Sequence, residues 1–337
     1  MSRKSIRLED LAALANMSTA TVSRALNDNP NVNDATKRKI WQLAREHGYL
    51  FRPNMPHAPS GAQATISLVI PPAQGRERSA DDAFFQSLIG GGSAAARSSN
   101  CDVLLSHISP RNIDDLQDLI SAPGVDGAIF LGQSFLHDAL NALASQGHRF
   151  VVWGAALPGQ LYCSVGSDNV RGGRRADDHL LRLGRKKIVF LGDTDEPEIQ
   201  RRFQGYRDAL AAANVLYRGD LVSTVHFEIE SAHSTVERLL AQKIDFDAIF
   251  AASDMAAIGA IRALRQAGLR VPQDVAVVGY DDVTMGRYIR PQLTTIRQDL
   301  SEAGRLMVSK LLSASDTRDL ASERLATDLI VRESCGS

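Results

Sequence analysis

The chain has 337 residues, room for two or three domains, and its 44% hydrophobic and 23% charged residues are ordinary for a globular protein. The net charge of −1 hides an asymmetry: residues 1–53 carry a balance of +4 and the remainder −5, a basic head on an acidic body. No apolar run approaches the ~18 residues of a membrane span, and no apolar signal core follows the basic start Met1 to Arg7, so a cytoplasmic protein is expected.

In chain order, residues 6–48 read as helical throughout. Leu8, Leu11, Ala12, Leu14 and Ala15 fall at helical spacing, and Asn16-Met17 break that first helix. Ser18 is placed to cap a second helix, Thr19 to Leu26, with Val22 and Leu26 inward. A polar loop, Asn27 to Asn33, leads to a third helix from Asp34 with Ile40, Leu43 and Ala44 inward and Gly48 closing it. Two short helices across a tight turn, completed by a third, is the helix-turn-helix plan. The second helix, STATVSRALN, offers only small, hydroxylated or basic side chains outward. A solvated helix would carry Glu and Lys; a helix lying in a DNA groove needs slim residues, hydroxyls and an arginine.

Residues 51–64, FRPNMPHAPSGAQA, read as a linker. From Ile66 onward, short apolar runs alternate with amphipathic stretches: ISLVI (66–70), DVLLS (102–106), GAIFL (127–131), RFVVW (149–153), KIVFL (187–191), AIFAA (248–252) and VAVVG (275–279). Continuous apolarity implies strands covered on both faces, as in parallel sheet with crossover helices. Four runs precede residue 155 and three follow it, so the expected fold is α/β: a small all-α helix-turn-helix domain followed by a two-lobed body with parallel sheets and a ligand cleft between the lobes.

Enzyme signatures are missing. LIGGGSAAA is glycine-rich but lacks the GK[ST] of a phosphate loop, and neither GxSxG nor HExxH occurs. Asp177-Asp178-His179 could suggest a metal site, but consecutive helical residues diverge, so a solvated face is expected there. Cys101, Cys163 and Cys335 are irregularly spaced without a CxxC and read as reduced thiols. No catalytic group, metal or cofactor is expected.

The head resembles the DNA-binding domain of the lactose-repressor/galactose-repressor (LacI/GalR) family, through ATVSRALN, VNDATKRKI, GY and RPN. The body resembles the periplasmic-binding-protein-like (type I) sensor of the same family, through DAFFQSLIGG (82–91), VDGAIFLG (125–132), GSDNVRGG (166–173), LGRKKIVFLG (183–192), RRFQGYRDAL (201–210), AASDMAAIGAIRAL (251–264), VPQDVAVVGYDD (271–282) and PQLTTIRQD (291–299). The resemblance implies a DNA-binding domain at 1–50, a hinge at 51–64 and a sensing and dimerisation domain at 65–334. Its lobes would be 65–166 with 297–324, and 167–296 with 325–334.

For DNA, the resemblance implies base readout by Thr19 and Ala20, with Arg24 on a base edge or the backbone. Ser18, Thr21, Ser23, Asn27, Asn33 and Thr36 would grip phosphates. The family's hinge helix with its leucine wedge is not expected: Pro56 and Pro59 fall inside it, no leucine lies between Leu50 and Leu68, and an extended tether is the reading, with Met55 or Phe51 the substitutes for a wedge.

For the effector, Arg202 falls at the arginine that grips ligand oxygens and Asp281 at the carboxylate that accepts from ligand hydroxyls. Ser253 stands where Asn is commoner, giving a shorter reach and room for a larger ligand. Phe85 and Phe227 fall at pocket-lining positions, and Trp153 ends a strand facing the cleft. Aromatic faces beside forks and carboxylates suit a carbohydrate; a nucleobase or a sugar phosphate is the alternative. With no leucine heptads at the C-terminal DLIVRESCGS, homodimers on a pseudo-palindromic double-stranded operator are expected.

Overall fold

In the computed structural model, the chain divides into two units, Met1–Ala62 and Gln63–Ser337. The residues described are 8–26, 32, 33, 36, 37, 39, 40, 43, 64–73, 78, 80, 82–313 and 320–336. The linker's Phe51, Met55, Pro56 and Pro59, and the candidate contact Asn27, lie outside them, as does Gly48.

In the first unit, α1 (Leu8–Ala15) and α2 (Thr19–Leu26) bracket a tight turn. Asn16 takes φ +53°, the left-handed conformation that ends a helix, and the Met17 N–H donates back to the Ala12 carbonyl at 3.0 Å. Leu11, Ala12 and Ala15 of α1 close on Val22 and Ala25 of α2 and on Ile40, which with Thr36, Lys37, Lys39 and Leu43 has helical backbone. Leu14 departs from the expectation: it points to solvent, 46% exposed, because the buried stripe of so short a helix is filled by positions 11, 12 and 15.

The second unit holds two six-stranded sheets. The first runs in the order β11-β5-β4-β3-β1-β2, formed by β1 (Thr65–Val69), β2 (Asp102–Leu105), β3 (Gly127–Leu131), β4 (Phe150–Trp153), β5 (Ser164–Ser167) and β11 (Glu323–Leu325). The second runs β12-β10-β9-β8-β6-β7, formed by β6 (Ile188–Leu191), β7 (Val222–Ser223), β8 (Ala248–Ala251), β9 (Ala276–Asp281), β10 (Thr294–Arg297) and β12 (Asp328–Ile330). Every pairing is parallel except β10 with β12.

Alternate residues of each central strand feed opposite cores, so continuous apolar runs are required. In the first sheet, Leu68, Ile129, Val151 and Trp153 pack under α3 (Ala83–Ser98) and α10 (Leu300–Ser313). Val69, Phe130, Phe150 and Val152 pack under α4 (Ile113–Ile120) and α5 (His137–Ser145). The second sheet divides likewise. Val189, Ile249 and Val277 face α8 (Ile229–Ala241) and α9 (Asp254–Gln266); Phe190, Phe250, Val278 and Tyr280 face α6 (Asn169–Arg182) and α7 (Pro197–Ala212). The run DVLLS is an exception. As edge strand β2 it is covered incompletely, leaving Leu104 and Leu105 nearly half exposed. The chain passes between the sheets three times, after β5, after β10 and between β11 and β12.

The acidic triplet on α6 also departs from the expectation. Asp178 is on the surface, but Asp177 and His179 are buried. Asp177 is one helical turn from Gly173, on the face against α7. Neither of its oxygens accepts a hydrogen bond, and burial, with Asp178 adding, pushes its carboxyl well above the usual range. His179 Nε2 meets Cys335 Sγ at 3.2 Å. No metal-holding group of side chains occurs among the described residues, and the three cysteines are buried thiols outside any disulfide. No described helix is long and apolar enough to cross a membrane.

Candidate functional site

On the head, α2 begins as the sequence predicts. Ser18 Oγ accepts from the Thr21 N–H at 3.1 Å and meets the Thr21 hydroxyl at 2.9 Å. Ser18, Thr19, Ala20 and Arg24 are exposed, Thr21 and Ser23 half-buried. Arg24 Nε donates to the Ala20 carbonyl one turn back, at 3.1 Å, which lays the guanidinium along the exposed surface. Asn33 Oδ1 accepts from the Thr36 N–H at 2.8 Å, so Asn33 caps the following helical turn as well as facing solvent. The result is a narrow surface of hydroxyls, one methyl and one guanidinium, free of carboxylates along Ser18–Arg24.

In the body, a cavity of about 460 Å³ opens at the carboxyl ends of the strands of both sheets. The strand order of each sheet reverses there, between β1 and β3 and between β6 and β8, which is where a doubly wound sheet leaves a crevice. Phe85, Trp153, Arg202, Phe227, Ser253 and Asp281 all line it. Phe85, on α3, and Trp153, ending β4, are almost wholly buried and serve the core as well; the more open aromatic face is Phe84, 6.2 Å from the Trp153 ring.

Arg202 is fixed from four sides. Its Nε donates to Asn169 Oδ1 at 2.9 Å, one Nη donates to the Ala252 carbonyl, its plane lies 3.7 Å from the Tyr280 ring centroid, and Asp281 is 3.8 Å away. That placement depends on α6 and α7 touching backbone to backbone. A Cβ at Gly205 would stand 2.2 Å from the Val170 carbonyl oxygen, and one at Gly173 2.2 Å from that of Arg202. The Arg202–Asp281 pair therefore lies within one lobe rather than spanning the cleft.

Asp281 ends β9 with φ +118°, a conformation disfavoured for any residue with a Cβ. Gln298 Nε2 donates to its Oδ1 at 2.6 Å. Burial nevertheless outweighs Arg202 and Gln298 and pushes its carboxyl up to about 7. Ser253 has a local duty: its Oγ accepts from the Ala256 N–H at 3.2 Å and caps α9.

Sequence reasoning missed several lining residues. Arg78, in the segment after β1, meets Glu196 of the opposite lobe at 2.7 Å and lies 5.9 Å from the Phe227 ring. Glu198, in the first turn of α7, has an Oε1 shielded from solvent that accepts no hydrogen bond, and burial beside Glu196 raises its carboxyl. Asp82, Asp193, His226, Glu228 and Glu230 complete the charged lining. Arg78 sits in irregular backbone without periodicity. Glu196 and Glu198 read in sequence as ordinary first-turn acids, favoured there by the helix dipole.

Residues 7–54 match the family of bacterial regulatory proteins of the lacI type, and residues 178–335 match a periplasmic binding protein-like domain. The chain is 32% identical to the HTH-type transcriptional regulator CelR of Thermobifida fusca, over 98% of this chain and 99% of that one. It is 29% identical to the HTH-type transcriptional repressor CytR of Escherichia coli K12, over 97% and 95%. A solved complex of a regulator CelR with cellobiose superposes with a TM-score of 0.70 at 30% identity, covering 98% of this chain and 99% of that one. A LacI-family regulator from Enterococcus faecium with bound ribose does so at 0.68 and 28% identity, covering 80% and 98%. These relatives are transcription regulators, not enzymes, and the likeness to CelR and CytR spans both units. The protein is a helix-turn-helix transcription regulator with a periplasmic-binding-protein-like domain and belongs to the LacI family.

Proposed function

We propose that the protein is a cytoplasmic repressor, dimeric on a pseudo-palindromic operator, whose operator affinity is set by a small carbohydrate in the cleft of its sensor. The observation that carries this reading is the convergence of Arg202 and Asp281, both rigidly held, with Trp153, Phe84 and Phe227 on one cavity. A guanidinium fork donates to two sugar oxygens, a carboxylate accepts from hydroxyls, and aromatic faces cover the apolar C–H side of a pyranose. Relatives that bind cellobiose and ribose support the same class. On DNA, Thr19 and Ala20 take the base-reading positions, the Ala20 methyl meeting a thymine methyl, while Arg24 and the hydroxyls of Ser18, Thr21, Ser23 and Thr36 hold register with Asn27 and Asn33.

The test is a thermal-shift panel of the full chain against mono- and disaccharides and nucleobases, followed by operator titration with any ligand found. A ligand at 100 times its Kd adds about 2.7 kcal/mol to stability. A sugar that raises Tm and alters operator affinity is the expected result. Asp281→Ala should abolish that response and leave basal operator binding intact. A response only to nucleobases, or a preserved response in the variant, overturns the reading.

A further inference from the structure

Resting on the carbohydrate reading, we infer that the cleft selects by charge: it takes an uncharged sugar and rejects the phosphorylated or uronate form of the same sugar. The described lining carries seven carboxylates against two guanidiniums. Both guanidiniums face carboxylates within the protein. Arg78 is turned onto Glu196 at 2.7 Å, and Arg202 is bound to Asn169 and the Ala252 carbonyl with Asp281 beside it. His226, the third cationic candidate, faces Asp193 at 3.7 Å. An anionic ligand therefore meets, among the described lining residues, no cation that a carboxylate does not already face.

The acidic lining as a whole supplies the opposing charge, and Glu198 adds an unfilled acceptor to it. Its Oε1 is enclosed yet accepts no hydrogen bond, which in a protein interior is costly for a carboxylate. A hydroxyl donor delivered by a ligand satisfies that oxygen; a phosphate or carboxylate in its place meets it with like charge. Where water is largely excluded, two such charges a few ångströms apart repel strongly enough to weaken binding by at least about tenfold. Glu196 acts with it by occupying Arg78. Discrimination thus comes from a repulsive element as much as from attraction.

The experiment compares matched pairs by calorimetric titration and thermal shift of the full chain: D-glucose with D-glucose 6-phosphate and D-glucuronate, and cellobiose with its 6-phosphate. The neutral member of a bound pair should bind at least tenfold more tightly than its anionic partner. Glu198→Gln, which keeps shape and removes charge, should narrow that gap. Glu196→Gln, which frees the Arg78 guanidinium, should raise the affinity of the anionic member. An anionic sugar that binds as well as or better than its neutral partner overturns the inference while leaving the carbohydrate reading standing. So does a gap that neither variant changes. If no sugar binds, the carbohydrate reading fails and this inference falls with it.

Discussion

Asp281 can be replaced by Asn, which keeps shape and hydrogen bonding and removes the charge, and the consequence for stability follows from the carboxyl's surroundings. Burial holds it at about 7 in the folded protein, even with Arg202 at 3.8 Å and Gln298 donating at 2.6 Å, against about 4 in an unfolded chain. The folded state thus keeps a proton that the unfolded state releases. Below about pH 4 both forms are protonated and nothing is lost; as pH rises from 4 through 7, stability drains away. Three units at 1.36 kcal/mol each give a penalty of about 4 kcal/mol at pH 8, shrinking to about 1–2 kcal/mol at pH 5. Asn pays neither. For a unit of this size, about 2 °C of Tm accompanies each kcal/mol. The variant should therefore melt several degrees above the parent at pH 8, with the gap closing towards pH 5. Calorimetric melts without effector between pH 5 and 8.5 measure this. A gap independent of pH, or an Asn variant less stable at pH 8, would refute the burial argument. The expected gain would also fit the proposed function, in which this carboxylate, on disfavoured backbone, serves the effector.

Gly205→Ala should drive α6 from α7, since its Cβ would meet the Val170 carbonyl oxygen at 2.2 Å and the Arg174 nitrogen at 2.5 Å. A loss of about 1–3 kcal/mol or more in denaturant melts is expected, with weakened effector binding because Arg202 lies one turn away; an unchanged melt would mean that the helices part freely. Arg24→Ala should cost about 1–3 kcal/mol of specific operator affinity, read by titration at fixed salt, and unchanged affinity would remove Arg24 from the interface. Ser18→Ala deletes the bond to the Thr21 N–H. A head domain less stable by about 1 kcal/mol in hydrogen exchange or melts is the expected outcome, and an unaffected α2 would show that Ser18 serves DNA alone.

Where local chemistry dictated structure, the sequence could be read directly. Ser18 capping α2 is a spacing effect, and the long apolar runs of β1, β3, β4, β6, β8 and β9 announce strands buried on both sides. Illegible elements are those made by tertiary pairing. SVGS at β5 and the short strands β7, β11 and β12 carry no apolar run and exist because a neighbouring edge supplies partners. The buried Asp177 was hidden for the same reason: its environment is α7, distant in sequence.

The cleft shows the same division at the level of single residues. Arg202, Asp281, Phe85 and Phe227 were legible through the family resemblance, whose motifs carry their positions, and Trp153 through the end of its apolar strand. Arg78 and Glu196 carry no such signal; they come from different lobes and acquire meaning only as a pair at 2.7 Å. Ser253 illustrates the converse hazard. Read as a shortened ligand contact, it has a sufficient local reason in the Ala256 N–H that its hydroxyl caps. Its hydroxyl is thus partly engaged before any effector arrives, and the proposed reading looks instead to Asp281 to accept from the effector.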